Sequence, residues 1–373
     1  MSGAETTSDL GTSALADPDH LLRTRGVTST VDAFIVGCVF SRDGSLAGFA
    51  TGEGELHLAP RTTSSAADWR LVPVHDGAVL SLAADIGPQG FLTGGDDNRL
   101  CRTSGDGVVI ELATGRRWVE HVASFADDKP GQAKRRGDNE APRGLIASAV
   151  GKLVELRDGS GQLLKTLTHE STVSGIAFDA KGKRIATSHY NGASLWFAAS
   201  KSDSARVLTW KGSHIGVALH PDGEALVTAM QENELHGWRL SDGHNMRMSG
   251  YPQKTQSFSF SRNGKWLATS GAEAVVLWPF FGGGPMGKPP TELAGVPDSV
   301  CTRVVFHPQH EIVAAGFADG TVLMSDVGSR RVLPVCGAGH GSVSALSFSS
   351  DGSALAFGTT TGRMAVVDIA ARS

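Results

Sequence analysis

The run FFGGGPMGKPP, Phe280 to Pro290, combines residue types that could do chemistry. Glycines followed by a lysine are the ingredients of a phosphate cradle, in which backbone N–H groups and an ammonium surround an anion. A working cradle opens a helix, whereas this run follows an apolar strand-like segment and leads into Pro-Pro, so no nucleotide site is expected here. A second candidate is the basic cluster Lys134-Arg135-Arg136, with Arg143 close behind, in the polar stretch ADDKPGQAKRRGDNEAPRG (Ala126 to Gly144). It is a candidate contact for a protein partner on an inserted loop. With a formal net charge of −4, the chain has no electrostatic reason to bind nucleic acid irrespective of sequence. Cys38, Cys101, Cys301 and Cys336 lie far apart, with neither a C-x-x-C pair nor zinc-finger spacing, and read as free thiols. There is no G-x-S-x-G elbow, no H-E-x-x-H and no G-x-x-x-x-G-K-[ST]. No cofactor and no metal are expected.

Any such residues must be positioned by elements, and composition says which. Glycine contributes 47 of 373 residues, about one in eight, against a usual share of about 7 %. The excess is spread along the chain without a collagen-like period, which points to many tight turns between short strands. A pattern of alternating strand, turn and apolar strand recurs: CVFSRDGSLAGFA, IAFDAKGKRIATS, VALHPDGEALVTA, FSFSRNGKWLATS, VVFHPQHEIVAAG and LSFSSDGSALAFG. A degenerate copy is LSLAADIGPQGFLTG, and another is split between HVASFADD and GLIASAVGKLVEL. The last apolar residue of each first strand falls at Phe40, Leu82, Phe125, Phe178, Leu219, Phe260, Phe306 and Phe348, at intervals of 42, 43, 53, 41, 41, 46 and 42. The second strand of each unit is small and apolar throughout, as in Ile312-Val313-Ala314-Ala315, and must be covered on both faces. Sheets stacked around an axis achieve that, and an isolated sheet does not.

This pattern resembles the WD40 (WD-repeat) β-propeller family over about residues 20–370. The family's hallmarks are a His just ahead of the innermost strand, an Asp in the turn before the third strand, and Trp-Asp at that strand's end. The resemblance implies structural roles for His75, His169, His214 and His340, for Asp97 and Asp319, and for Trp196, Trp238 and Trp278. Asp326 and Asp368 stand where the Asp of the pair would be, although no Trp-Asp dipeptide occurs. The expected fold is all-β: a single propeller of eight four-stranded blades, with seven as the alternative. HLLRTRG (His20 to Gly26) is expected to supply the outer strand of the last blade and so close the ring. Residues 1–19 are expected to form a disordered polar tail, and 126–143 and 279–290 to be insertions on one face of the wheel.

Relatives in the resembled family serve mostly as platforms for protein partners, so the expectation is a non-catalytic scaffold in the cytoplasm, with no membrane segment. Its contact candidates are Lys134, Arg135, Arg136, Arg143, Phe280 and Phe281. The alternative is a metal-dependent hydrolase or lactonase with a site in the axial channel, built from Asp32, Ser81, Ser174, His214, Thr255, Arg303 and Ser344. Their mixed chemistry contains no paired carboxylates.

Overall fold

The computed structural model describes residues 17–127, 143–200, 202 and 204–370. They form antiparallel sheets, each built mostly from strands consecutive in sequence. The first sheet joins Ile35–Phe40, Leu46–Thr51, Glu55–Pro60 and Arg70–Pro73. Burial changes from strand to strand within it. In Leu46–Thr51 every residue after the first is buried, whereas Arg70–Pro73 buries only Val72. The second strands Phe91–Gly95, Ala225–Met230 and Ala354–Thr359 are buried along their whole length. Their cover comes from the adjoining sheets. A Cβ on Gly48 would lie 2.7 Å from the Phe91 ring of the second sheet, and one on Gly358 would lie 2.4 Å from Ile35 of the first. Glycine therefore lets neighbouring sheets approach face to face. The innermost strands touch in sequence around the axis, and the last touches the first.

Seven hydrogen-bonded sheets make the ring, rather than the eight separate ones expected. Six have four strands, and the remaining one has six. In that sheet the fourth and fifth sequence units are continuous through the 14-residue strand Arg206–Leu219, and the 14-residue strand Arg184–Phe197 likewise runs the second and third strands of the fourth unit together. Arg184–Phe197 pairs with Val173–Phe178 through its first half and with Arg206–Leu219 through its second. The polypeptide turns at Asn191 and Gly192, both at positive φ (64° and 142°), without leaving the strand.

The ring closes where the two ends of the described chain meet. Gly26–Thr30 pairs with Arg363–Asp368, from Gly26↔Val367 to Thr30↔Arg363. The closing strand thus starts where HLLRTRG ends, and His20–Arg25 is a short helix. Leu and Arg favour helix, and the β-branched residues of GVTST favour the strand that follows. The helix buries Leu22 against Val335 and Cys336, and Arg25 pairs with Asp368 at 3.0 Å. Ahead of it, Asp19 Oδ1 accepts the Gly337 N–H at 2.8 Å. Residues 1–16 lie outside the described residues.

Turns between first and second strands tie sheet to sheet. His220 Nε2 donates to the Gly264 carbonyl at 2.9 Å, and His307 Nε2 to that of Gly352 at the same distance. Both glycines sit at positive φ with the imidazole where a Cβ would be. The first insertion grows from such a turn: the ladder ends at Ala126↔Gly144, and Asp127 N–H donates to Arg143 O at 2.9 Å.

Val31 N–H donates to Gly362 O at 3.1 Å, and the two-residue alternation of an antiparallel ladder turns the N–H groups of Ser29 and Val27 the same way. Ser29→Pro removes one closing donor and should cost about 1–3 kcal/mol. It would appear as a lower urea midpoint, with Ser29→Ala close to wild type.

Candidate functional site

The candidates implied by the repeat pattern sort into a buried network, an axial set and a surface set. In the second sheet His75 bonds Asp97 Oδ1 and Thr93 Oγ1, both at 2.9 Å. Burial pushes Asp97 up, but hydrogen bonds from His75 and Arg99 outweigh it and hold the carboxyl down at about 2. His169 Nε2 lies 2.9 Å from Thr187 Oγ1 and accepts the Trp196 indole N–H at 3.2 Å. Since an indole only donates, this His proton sits on Nδ1, toward Lys152 O. Burial, then the neighbouring His189, lowers His169 to about 4. The ring is therefore a neutral packing element near pH 7.

One member of this network escaped the sequence reading. Tyr251 stands 18 residues before Thr269 and 27 before Trp278, the spacings of His169 from Thr187 and Trp196. Its hydroxyl bonds Thr269 Oγ1 at 2.5 Å and accepts the Trp278 N–H at 2.6 Å. The spacing was legible; the expectation of histidine concealed it. Trp196, Trp238 and Trp278 are buried at the ends of third strands.

His214 and His340 do not hold the expected place. His214 lies in the innermost strand opposite Met230 and bonds Thr228 Oγ1 at 2.7 Å and Trp210 O at 3.1 Å. Trp210 takes the position 18 residues before Thr228 and stacks on His236, ring centroids 3.9 Å apart. His340 lies between Gly339 and Gly341, both at positive φ, and its ring joins no blade network among the described residues. Asp319 caps its own turn through Thr321, without a histidine.

Several of the axial candidates are ties between strands or sheets. Ser174 Oγ donates to His214 O at 2.5 Å within the six-stranded sheet, and Ser344 Oγ donates to Ile35 O of the first sheet at 2.6 Å. Ser81 Oγ accepts the Val122 N–H at 2.9 Å. Arg303 donates to Ser344 O, Gln256 Oε1 and Thr302 O, bracing three successive sheets. Thr255 bonds Ser270 O within its own sheet, and Asp32 is exposed. The chemistry-bearing side chains near the axis are thus largely spent on backbone groups. All four cysteines are free and buried, and burial pushes the Cys301 and Cys336 thiols up to about 12.

Lys134, Arg135 and Arg136 lie outside the described residues, and Arg143 is exposed. Phe280 is not an exposed anchor. It is 7 % exposed and packs edge-on against Phe260. Phe281 remains on the surface, against the edge of Trp266. Lys288 donates to the Phe281 and Gly284 carbonyls, which commits its ammonium to its own loop rather than to an anion.

The opposite face carries a cleft of about 310 Å³ that the sequence reading missed, lined by Asn98, Arg116, Arg117, Trp118, Glu120 and Thr172. Trp118 is 57 % exposed on the loop into the third sheet. Tyr190, 60 % exposed, is fixed beside Thr172 by its N–H bond to Ser171 Oγ at 3.1 Å. Glu120 Oε2 is buried there without a hydrogen-bond partner.

Radial sheets, buried second strands and a closing ladder define a single all-β propeller. A solved structure titled "Crystal structure of the computationally designed Ika8 protein: crystal packing No.1 in P63" superposes with a TM-score of 0.69 at 18 % identity, over 92 % of this chain and 99 % of that one, which supports the fold. The family description "WD domain, G-beta repeat" (WD40) matches residues 161–196, from the approach to Leu163–Thr168 through Trp196. Telomerase protein component 1 of Mus musculus is 25 % identical over 321 residues, covering 84 % of this chain and 11 % of that protein. The Periodic tryptophan protein 2 homolog of Schizosaccharomyces pombe is 30 % identical over 86 residues, 22 % of this chain and 10 % of that one. The chain spans about a tenth of the length of these relatives. It carries a WD40 repeat and resembles the WD40 repeat family in its fold and in these relatives. Among the described residues, no helix is long and apolar enough to cross a membrane.

Two measurements check the buried network. His169 and His236 both have folded values of about 4 against 6.5 ordinarily, so the unfolded chain binds more protons between those limits. Stability should fall as pH drops from about 6.5 to about 4, with a shallower slope in His169→Gln, read by urea unfolding across that range. Thr187→Val leaves His169 without its hydroxyl partner and should cost about 1–3 kcal/mol at pH 7.

Proposed function

We propose that the chain is a non-catalytic protein-interaction platform working in the cytoplasm. The observation that carries this reading is the Trp118 cleft. An exposed Trp following two exposed arginines in one cleft has the composition of an interface hot spot, where aromatic and Arg side chains supply most of the binding energy. A rigid ring supports it, and the relative named a component of telomerase is consistent with a role inside an assembly. Four reduced, buried cysteines suit a reducing compartment. The engagement of the inner-strand hydroxyls with backbone groups favours the platform over an axial hydrolase. Lys134, Arg135, Arg136, Arg143 and Phe281 offer a second contact on the opposite face. We also read the six-stranded sheet as two blades sharing continuous strands, which makes eight blades, because Arg206–Leu219 pairs inward and outward through separate halves.

Tagged wild type, Trp118→Ala, Arg117→Ala and a variant lacking 128–142 should be compared by quantitative capture from native lysate, with melting curves alongside. The expected result is one stoichiometric protein lost at least tenfold with both cleft substitutions and retained in the deletion, at unchanged melting temperature. Retention by both cleft variants, with loss in the deletion, would move the contact to the other face.

A further inference from the structure

We propose that Asp19, Cys336 and His340 form a zinc-class divalent-metal site that clasps the amino-terminal segment to the closing seam of the ring. One ligand atom from each residue lies within 4.8 Å of the other two. Asp19 comes from the segment ahead of the helix, Cys336 ends the strand Val332–Cys336, and His340 sits in the loop before Val343–Phe348. Residues more than 300 positions apart in sequence are thus brought to one point by ring closure.

Two ligands are held by the same residue, Gly337. Asp19 Oδ1 accepts the Gly337 N–H at 2.8 Å, and Cys336 Sγ lies 3.4 Å from the Gly337 carbonyl. The third is free to swing: His340 follows Cys336 by four residues, and the glycines beside it have φ of +96° and +77°. Its carbonyl is anchored by Thr361 Oγ1 at 2.7 Å, and no hydrogen bond to its ring is found among the described residues. A zinc ion takes ligands at about 2.0–2.3 Å in a tetrahedron, so the three donor atoms must draw together by up to about 1.5 Å, a movement the glycine-flanked loop supplies.

The donor set selects the metal class. A thiolate with an imidazole and one carboxylate suits zinc, whereas magnesium and calcium prefer oxygen ligands alone. Three protein ligands leave a fourth tetrahedral position for water or a partner's side chain. The cation takes the place of the Cys336 proton, since only the thiolate binds. Asp319 and Arg363 act electrostatically on Cys336 with opposite signs, so neither leaves the neighbourhood strongly charged against a dication.

The test is a Zn²⁺ titration of the full chain against a chromogenic chelator, with Co²⁺ as a spectroscopic stand-in. One Zn²⁺ should bind per chain in the micromolar range or tighter, and Co²⁺ should give a thiolate charge-transfer band. Cys336→Ser should abolish the band, and His340→Ala should weaken binding by about 100-fold or more, beyond the 10–100-fold typical of outer-shell partners. Cys301→Ser serves as a control and should leave both unchanged. If Cys336→Ser does not fold, His340→Ala and Asp19→Asn decide, because both residues are only partly buried. The absence of micromolar Zn²⁺ binding, or unchanged affinity in those two variants, overturns the site.

Discussion

A strand of small apolar residues buried on both faces is the constraint on which the ring depends. Ala47 to Thr51, Phe91 to Gly95 and Ala354 to Thr359 each need a neighbouring sheet on either side. A stack with ends would leave two such strands uncovered, at roughly 1.5–3 kcal/mol for each large apolar side chain returned to water. Closing the stack removes the ends. The close approach requires missing side chains, which is why Gly48, Gly316 and Gly358 lie opposite Phe91, Val343 and Ile35. Turn glycines answer a different demand, since those at 264 and 352 leave room for an imidazole from the preceding sheet.

Polar residues in such a ring tend to become fasteners. A hydroxyl at the head of an innermost strand lies within reach of the next sheet's backbone, and buried backbone groups are seldom left unpaired. Thr302 and Ser344 each donate to a carbonyl one sheet on, and Ser174 does so across the six-stranded sheet. Histidine behaves alike: burial keeps it neutral, so one nitrogen donates and the other accepts. The geometry that would serve an active site serves cohesion instead. Residues left out of this fastening stand apart for that reason, Trp118 on one face and His340 at the seam.

Period and turn chemistry made the architecture legible in the sequence, because each Asp-Gly or Asn-Gly reversal repeats at a nearly constant interval. What stayed hidden was context. The helix at His20–Arg25 depends on burying Leu22 against a strand 300 residues away, which no local pattern records. The continuity of Arg184–Phe197 arises because Asn191 and Gly192 turn within the strand, and a turn without a loop leaves no mark in the spacing. Phe280 and Phe281 are adjacent and identical, yet one side chain points into the core beneath Phe260 and the other out to solvent. A histidine template found nothing at Tyr251 and settled on His214 in place of Trp210, since the site demands a polar or flat ring and not one residue type. The Trp118 cleft was invisible because the stretch Arg116 to Glu120 becomes a cleft only where Asn98 and Thr172, distant in sequence, wall it in.

Closure by the first strand also sets how the chain must fold. Most sheets assemble from strands adjacent in sequence, a local process. The ladder from Gly26↔Val367 to Thr30↔Arg363 instead joins the two ends of a loop of some 340 residues, whose closure entropy is on the order of 5 kcal/mol. It cannot form until almost everything between has been placed. Until then Arg363–Asp368 presents an unpaired edge, with MAVV at its centre and a charge at either end. Open apolar edges recruit other chains, and flanking charges discourage them. The interval between completing the other sheets and docking one short strand is therefore when this protein is most exposed to aggregation, and its length is a kinetic property of the seam.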